Sequence, residues 1–131
     1  MYALKSIFDA ERETALREMV AKNKLLQAPP YPVAQALTRF GQNLRTARIR
    51  RNLTIEDVAR KIGTVPRAVM DAEKGKVSTT AGVYAALLWA YDLLSPLSEV
   101  ANPAKDEQGL RLASAKEKTR VRRSAGLDSD F

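Results

Sequence analysis

Cysteine and histidine are both absent from the 131 residues. Without cysteine the chain can form no disulfide, no thiolate metal site and no cysteine nucleophile. Without histidine it lacks the commonest general base and the commonest transition-metal ligand. No enzyme activity, metal or cofactor is therefore expected, and no Gly-rich phosphate loop precedes a helix to argue otherwise. Aromatic residues make up 6% of the chain, so the core must be built mainly from Ala, Leu, Val and Ile. No uncharged stretch reaches the ~20 residues that cross a bilayer. The opening MYALKSIFDAERE takes on charge too soon for the apolar region of a signal peptide. A soluble, cytoplasmic chain without a membrane partner is expected.

What is present is basic charge. Lys and Arg number 22 against 15 Asp and Glu, for a net +7, and polyanions become the first partners to consider. The surplus is greatest in the middle, where residues 33–103 carry 10 basic and 6 acidic side chains. The apolar content of 45% is ordinary for a globular protein, and the length suits one domain with segments to spare at each end.

Three regions are expected. Residues 1–32 read as an N-terminal helical extension with a weak seam through Ile7, Phe8 and Leu16, closed by the link APPYP. That helix either packs on the domain or acts as an arm joining two subunits. Residues 33–103 read as the folded domain, and residues 104–131 as a charged tail, disordered or only partly helical. The fold class expected is all-α.

Within the domain, Leu37, Phe40, Leu44 and Ala47 recur at helical spacing, with Gly41 beside them to admit another backbone. Arg45, Arg48, Arg50 and Arg51 follow closely. Arg48 lies four positions after Leu44, on the apolar side, and needs an acidic partner from elsewhere. Thr54 and Asp57 form a capping box for a second helix, with Ile55, Val58, Ala59 and Ile62 as its buried stripe. Gly63 ends it, and Pro66 suits the first turn of a third helix. Val69 and Ala72 face inward there, leaving Arg67, Met70, Asp71 and Lys74 outward, and Gly75 closes the helix. Two short helices joined by so tight a corner must cross. Ser78, Thr79 and Thr80 then offer start signals for VYAALLWAYDLL, which is apolar nearly all round, and Ser95-Pro96 opens a short helix to about Ala101.

The segments LTIEDVARKIG and AVMDAEKGK resemble the Cro/repressor-type (XRE family) helix-turn-helix domain, with Ala59, Gly63, Val69, Glu73 and Gly75 at the family's characteristic positions. The resemblance implies a compact five-helix domain whose third helix enters the major groove of operator DNA. It makes Pro66, Arg67, Met70 and Asp71 candidates for base reading, and Arg45, Thr54, Thr64, Lys74 and Lys76 candidates for phosphate contact. It also pairs Arg48 with Glu73 as a structural clamp. Two positions depart from the pattern. Ile55 stands where the family often has a phosphate-binding Gln, and Val65 where it favours Ser or Thr, so Thr64 is expected to take over as the cap.

YPVAQALTRFGQNLRTARIRRNLT, VYAALLWAYDLL, VANPAKDEQGL and LDSDF further resemble HipB-like antitoxins encoded beside HipA-like kinase toxins. That likeness implies a homodimer which represses its own operon and holds a kinase partner. Leu87, Leu88, Trp89 and Tyr91 on the apolar fourth helix are the expected dimer interface. Arg120, Arg122, Arg123 and Phe131 are the expected partner-binding tail. The competing readings are a nonspecific nucleic-acid binder and a protein-interaction adaptor built on the same fold.

Overall fold

The computed structural model describes residues 2–128, and all regular structure among them is helical. Phe131 lies outside the described residues. The chain divides into two compact units, Met1–Leu93 and Leu94–Phe131.

In the first unit, α1 (Tyr2–Lys22) and α2 (Lys24–Gln27) precede α3 (Tyr31–Arg50), α4 (Ile55–Ile62), α5 (Pro66–Glu73) and α6 (Ala81–Ala90). Ile7, Phe8 and Leu16 of α1 are more than half exposed, so their seam is not packed on the domain. The link APPYP is shorter than expected, because Tyr31 and Pro32 already belong to α3. Proline needs no amide partner in a first helical turn, so Pro32 starts this helix as readily as it would end another.

Helix α4 begins with both halves of the capping box. The Asp57 amide donates to Thr54 Oγ1 at 3.1 Å and the Thr54 amide donates to Asp57 Oδ2 at 3.1 Å. The backbone amide of Thr54 foremost, and then its side chain, hold the Asp57 carboxyl below the usual carboxylate range. Gly63 then ends α4 with φ of 76°, the left-handed conformation that glycine adopts without a Cβ penalty. Thr64 is not the cap of α5. Its amide bonds Ala59 O at 2.9 Å to finish α4, and Val65 is the residue before α5, with no side-chain cap there.

The core joins four helices. Leu44 and Ala47 of α3, Val58 and Ala59 of α4, Val69 and Ala72 of α5, and Tyr84, Leu87 and Ala90 of α6 are buried together with Tyr91. Ala59, 1% exposed, lies in this cluster with α4 and α5 packed on each other. Fully burying one aliphatic side chain of Val or Leu size contributes about 1.5–3 kcal/mol, so the cluster dominates the stability of the unit.

This core corrects the expected dimer interface. Leu87 and Tyr91 are almost wholly buried within their own chain and have no surface to offer a partner. Leu88 is half-buried, and Trp89 is exposed. An apolar circumference could not by itself say which of its residues the chain's own α3, α4 and α5 would cover.

In the second unit, 3₁₀ turns at Ser95–Glu99 and Pro103–Lys105 lead into α7 (Glu107–Asp128). The expected short helix from Ser95 thus ends at Glu99 rather than Ala101. The Asn102 side chain donates to Glu99 Oε2 at 2.8 Å and accepts from the Ala104 amide at 3.0 Å, joining the two turns. Over residues 107–128 there is one continuous helix, where a charged tail that is disordered or only partly helical was expected. Few apolar residues argue against a core, but Ala, Leu, Arg, Lys, Glu and Gln all favour a helix and no proline interrupts them. Asp106 caps it, accepting from the Gly109 amide at 3.0 Å.

Candidate nucleic-acid interface

The sequence places α5 on its neighbours by closeness rather than bulk. A Cβ on Gly41 of α3 would stand 2.5 Å from Glu73 O and 2.6 Å from Ala72 O, so only glycine lets the end of α5 approach α3. Gly75, just beyond α5, lies against the Leu37 carbonyl in the same way, with φ of 70°. Two backbone contacts and an ion pair fix the helix. Arg48 Nε donates to Glu73 Oε1 at 2.5 Å, Nη2 donates to Oε2 at 3.3 Å, and Nη1 donates to Leu53 O at 2.9 Å. The side chains are only 12% and 8% exposed. The carboxylate of Glu73, chiefly through this hydrogen bond, raises the already high pKa of Arg48.

With its inner side held, α5 presents Pro66, Arg67 and Met70 outward, all three exposed. Asp71 is half-buried and is met from two sides. Lys76 Nζ lies 3.1 Å and Arg67 Nε 3.3 Å from Asp71 Oδ1. The ammonium of Lys76, the larger effect, and the nearby guanidinium hold the Asp71 carboxyl below its ordinary range. Asp71 therefore stays ionised at neutral pH and steadies both cations, one of them the most exposed group of the three at 68%.

The remaining candidates are distributed unevenly. Arg45, Met70 and Lys74 share a shallow cleft between α3, α4 and α5, with Ile55 beside them and the Arg48–Glu73 pair in its wall. Thr54 is exposed at the start of α4, where its hydroxyl oxygen accepts from the Asp57 amide and its side chain also meets the Asp57 carboxylate. Thr64 is half-buried in the corner. Lys76 is turned toward Asp71. Arg120, Arg122 and Arg123 lie exposed on α7 in the second unit.

Two arginines near the end of α3 have different partners. Arg48 serves Glu73, whereas Arg51 donates to Ala47 O and Tyr91 O at 2.9 Å each, with its guanidinium carbon 5.6 Å from the Tyr91 ring centre. Lys61 of α4 donates to Ala90 O at 3.3 Å and lies 6.0 Å from the Trp89 ring centre. Two cations thus close the C-terminal end of α6, where unpaired carbonyls concentrate negative partial charge. This role was missed from the sequence, since nothing local to Arg51 or Lys61 announces a helix end about 30 or 40 residues away.

A sequence profile of a helix-turn-helix domain matches residues 39–101. No curated protein and no solved structure matches the chain. The matched span contains α4, the Gly63 corner and α5, the packed pair described above. The fold is that of an all-α helix-turn-helix domain, and the match supports a DNA-binding regulator of the XRE-like class. Among the described residues, no helix is long and apolar enough to cross a membrane.

Proposed function

We propose that the chain is a sequence-specific repressor that binds the operator of its own operon as a homodimer, with the first turn of α5 in the major groove. The observation that carries this reading is the arrangement of α5. Glycine contacts and the Arg48–Glu73 pair fix one side, while Arg67, Met70 and Asp71 stand together on the other. A guanidinium at Arg67 can bond both guanine O6 and N7, a contact worth ~1–3 kcal/mol of discrimination. Asp71 orients it. Arg45, Lys74 and Thr54 hold register on phosphates, which positions the helix without reading sequence.

A dimer follows because one short helix reads few base pairs, and two half-sites about one helical turn apart supply the missing affinity. Trp89, exposed on α6 beside the half-buried Leu88, is the anchor of that interface. The finer reading adds a HipA-like kinase partner and an antitoxin role, supported by the likeness of the segments quoted above to HipB-like antitoxins. Co-purification with the neighbouring gene product tests it.

The central test is binding to DNA from upstream of the gene against scrambled DNA of equal length at two salt concentrations. A preference of about a thousandfold that survives higher salt is expected, and Arg67→Ala should reduce it roughly tenfold or more. Equal, steeply salt-dependent binding to both DNAs would establish a nonspecific binder instead. Binding to neither would leave the fold as an adaptor for proteins.

A further inference from the structure

Helix α7 has no role in the operator contact described above, yet its charges are not scattered. Between Arg111 and Arg123 it carries Arg111, Lys116, Lys118, Arg120, Arg122 and Arg123 against the single acid Glu117. At about 100° per residue, all six cations fall within roughly 100° of Thr119, and Glu117 falls on the opposite side. Arg111, Lys118 and Arg122 line one edge of this face, and Lys116, Arg120 and Arg123 the other. The strip between them is Leu112, Ala115 and Thr119. All of these residues are exposed, and among the described residues none of the six cations forms an ion pair.

We infer that α7 is a second DNA-binding element, which lies along a duplex groove and meets phosphates on both sides without reading bases. This deepens the proposed function and rests on it for the choice of DNA as the polyanion. The basic face runs about 18 Å along the axis. A duplex presents one negative charge for each ~1.7 Å, so every cation can find a phosphate over that length. A helix with cations along two edges fits between two rows of anions better than it fits a single acidic peptide strand. A membrane surface suits it less, because the face opposite the cations holds Glu117 between Leu110 and Val121 and offers no broad apolar band to bury.

The test uses the full chain and scrambled duplex DNA, with binding measured across a salt series. Replacing Arg111, Lys118 and Arg122 together by Gln removes three charges while keeping good helix formers. The slope of log affinity against log salt should flatten by about 2–3, and affinity near 0.1 M salt should fall at least about tenfold. Replacing the exposed Arg12, Arg17 and Lys24 by Gln makes the same change in net charge elsewhere and should have much less effect. Arg111→Lys with Arg122→Lys should retain the wild-type slope, since phosphate contact needs charge rather than shape. The ratio of operator to scrambled affinity should survive all of these changes, unlike in Arg67→Ala. A slope changed no more by the α7 variant than by the control overturns the inference, and so does loss of a co-purifying protein with the slope intact. Absence of any operator preference in the wild type overturns the proposed function while leaving α7 to be judged on its slope. No DNA binding at all overturns both.

Discussion

Arg48 joins three parts of the domain through one side chain, pairing with Glu73 of α5 from its place on α3 and donating to Leu53 O in the connection to α4. Removing one member of such a pair leaves the other charge in a site with little access to water. Glu73→Ala should therefore lower unfolding stability by about 3 kcal/mol, read from urea titration. Combining it with Arg48→Met should recover much of that loss, because the stranded charge disappears. If the double variant is as unstable as the sum of two singles, the pair is not coupled.

Two glycines make opposite demands. Gly41 is helical but crowded by the carbonyls of Ala72 and Glu73, whereas Gly63 has open space around its Cα and a φ of 76°. Gly41→Ala should cost about 1–3 kcal/mol by overpacking and should also weaken DNA binding, because α5 must move away from α3. Gly63→Ala should cost about 1–2 kcal/mol through backbone conformation alone. Binding by the folded fraction should then be unchanged. Thermal unfolding and DNA titration of both variants separate the two effects.

These two positions also show what kind of information the sequence held. Gly63, the Thr54–Asp57 box and the spacing of Val58, Ala59, Val69 and Ala72 are local signals, and each is visible within one or two turns of helix. The need of Arg48 for an acidic partner was legible from its place beside Leu44, although Glu73 was supplied by family likeness rather than by spacing. What was not legible depended on packing at a distance. The uniformly apolar α6 gave no phase, so Leu87 and Tyr91 were assigned to an interface although the chain's own core covers them. The α7 segment has few apolar residues to mark a buried face, so only its residue types favoured the helix that it forms. Arg51 and Lys61 looked like surface charge until α6 brought its carbonyls to them.

Tyr91 makes stability sensitive to alkali. It is 1% exposed, and its hydroxyl has no hydrogen-bond partner among the described residues. Burial, aided by the Glu73 charge, pushes its pKa from 10.0 up to about 12. The unfolded chain then loses this proton more readily than the folded one as pH rises above 10, so folding stability is intact below that pH and declines between 10 and 12. Tyr91→Phe should remove that part of the alkaline decline. At neutral pH the substitution should be neutral or slightly stabilising, since it deletes a buried polar group that gains no bond. Unfolding midpoints at pH 7 and at high pH, with tyrosinate absorbance followed in parallel, check both claims.

Asp71 decides how Arg67 and Lys76 divide their charge between the protein and DNA. Both cations lean on one carboxylate oxygen, and its lowered pKa keeps it ionised through the neutral range. With no histidine in the chain, nothing of ordinary pKa titrates near this face, so operator preference should stay flat from about pH 6 to 8. Asp71→Asn removes the negative charge but keeps the shape. Lys76 and Arg67 are then free to follow any phosphate, and affinity for scrambled DNA should rise several-fold with a steeper salt dependence. Operator affinity should rise less or fall, because Arg67 loses the partner that aims it. The expected result is a smaller specificity ratio in a tighter binder, measured by titrating both DNAs with the same preparation. An unchanged ratio would mean that Arg67 is positioned by the DNA itself, and that the Asp71 contacts belong only to the free protein.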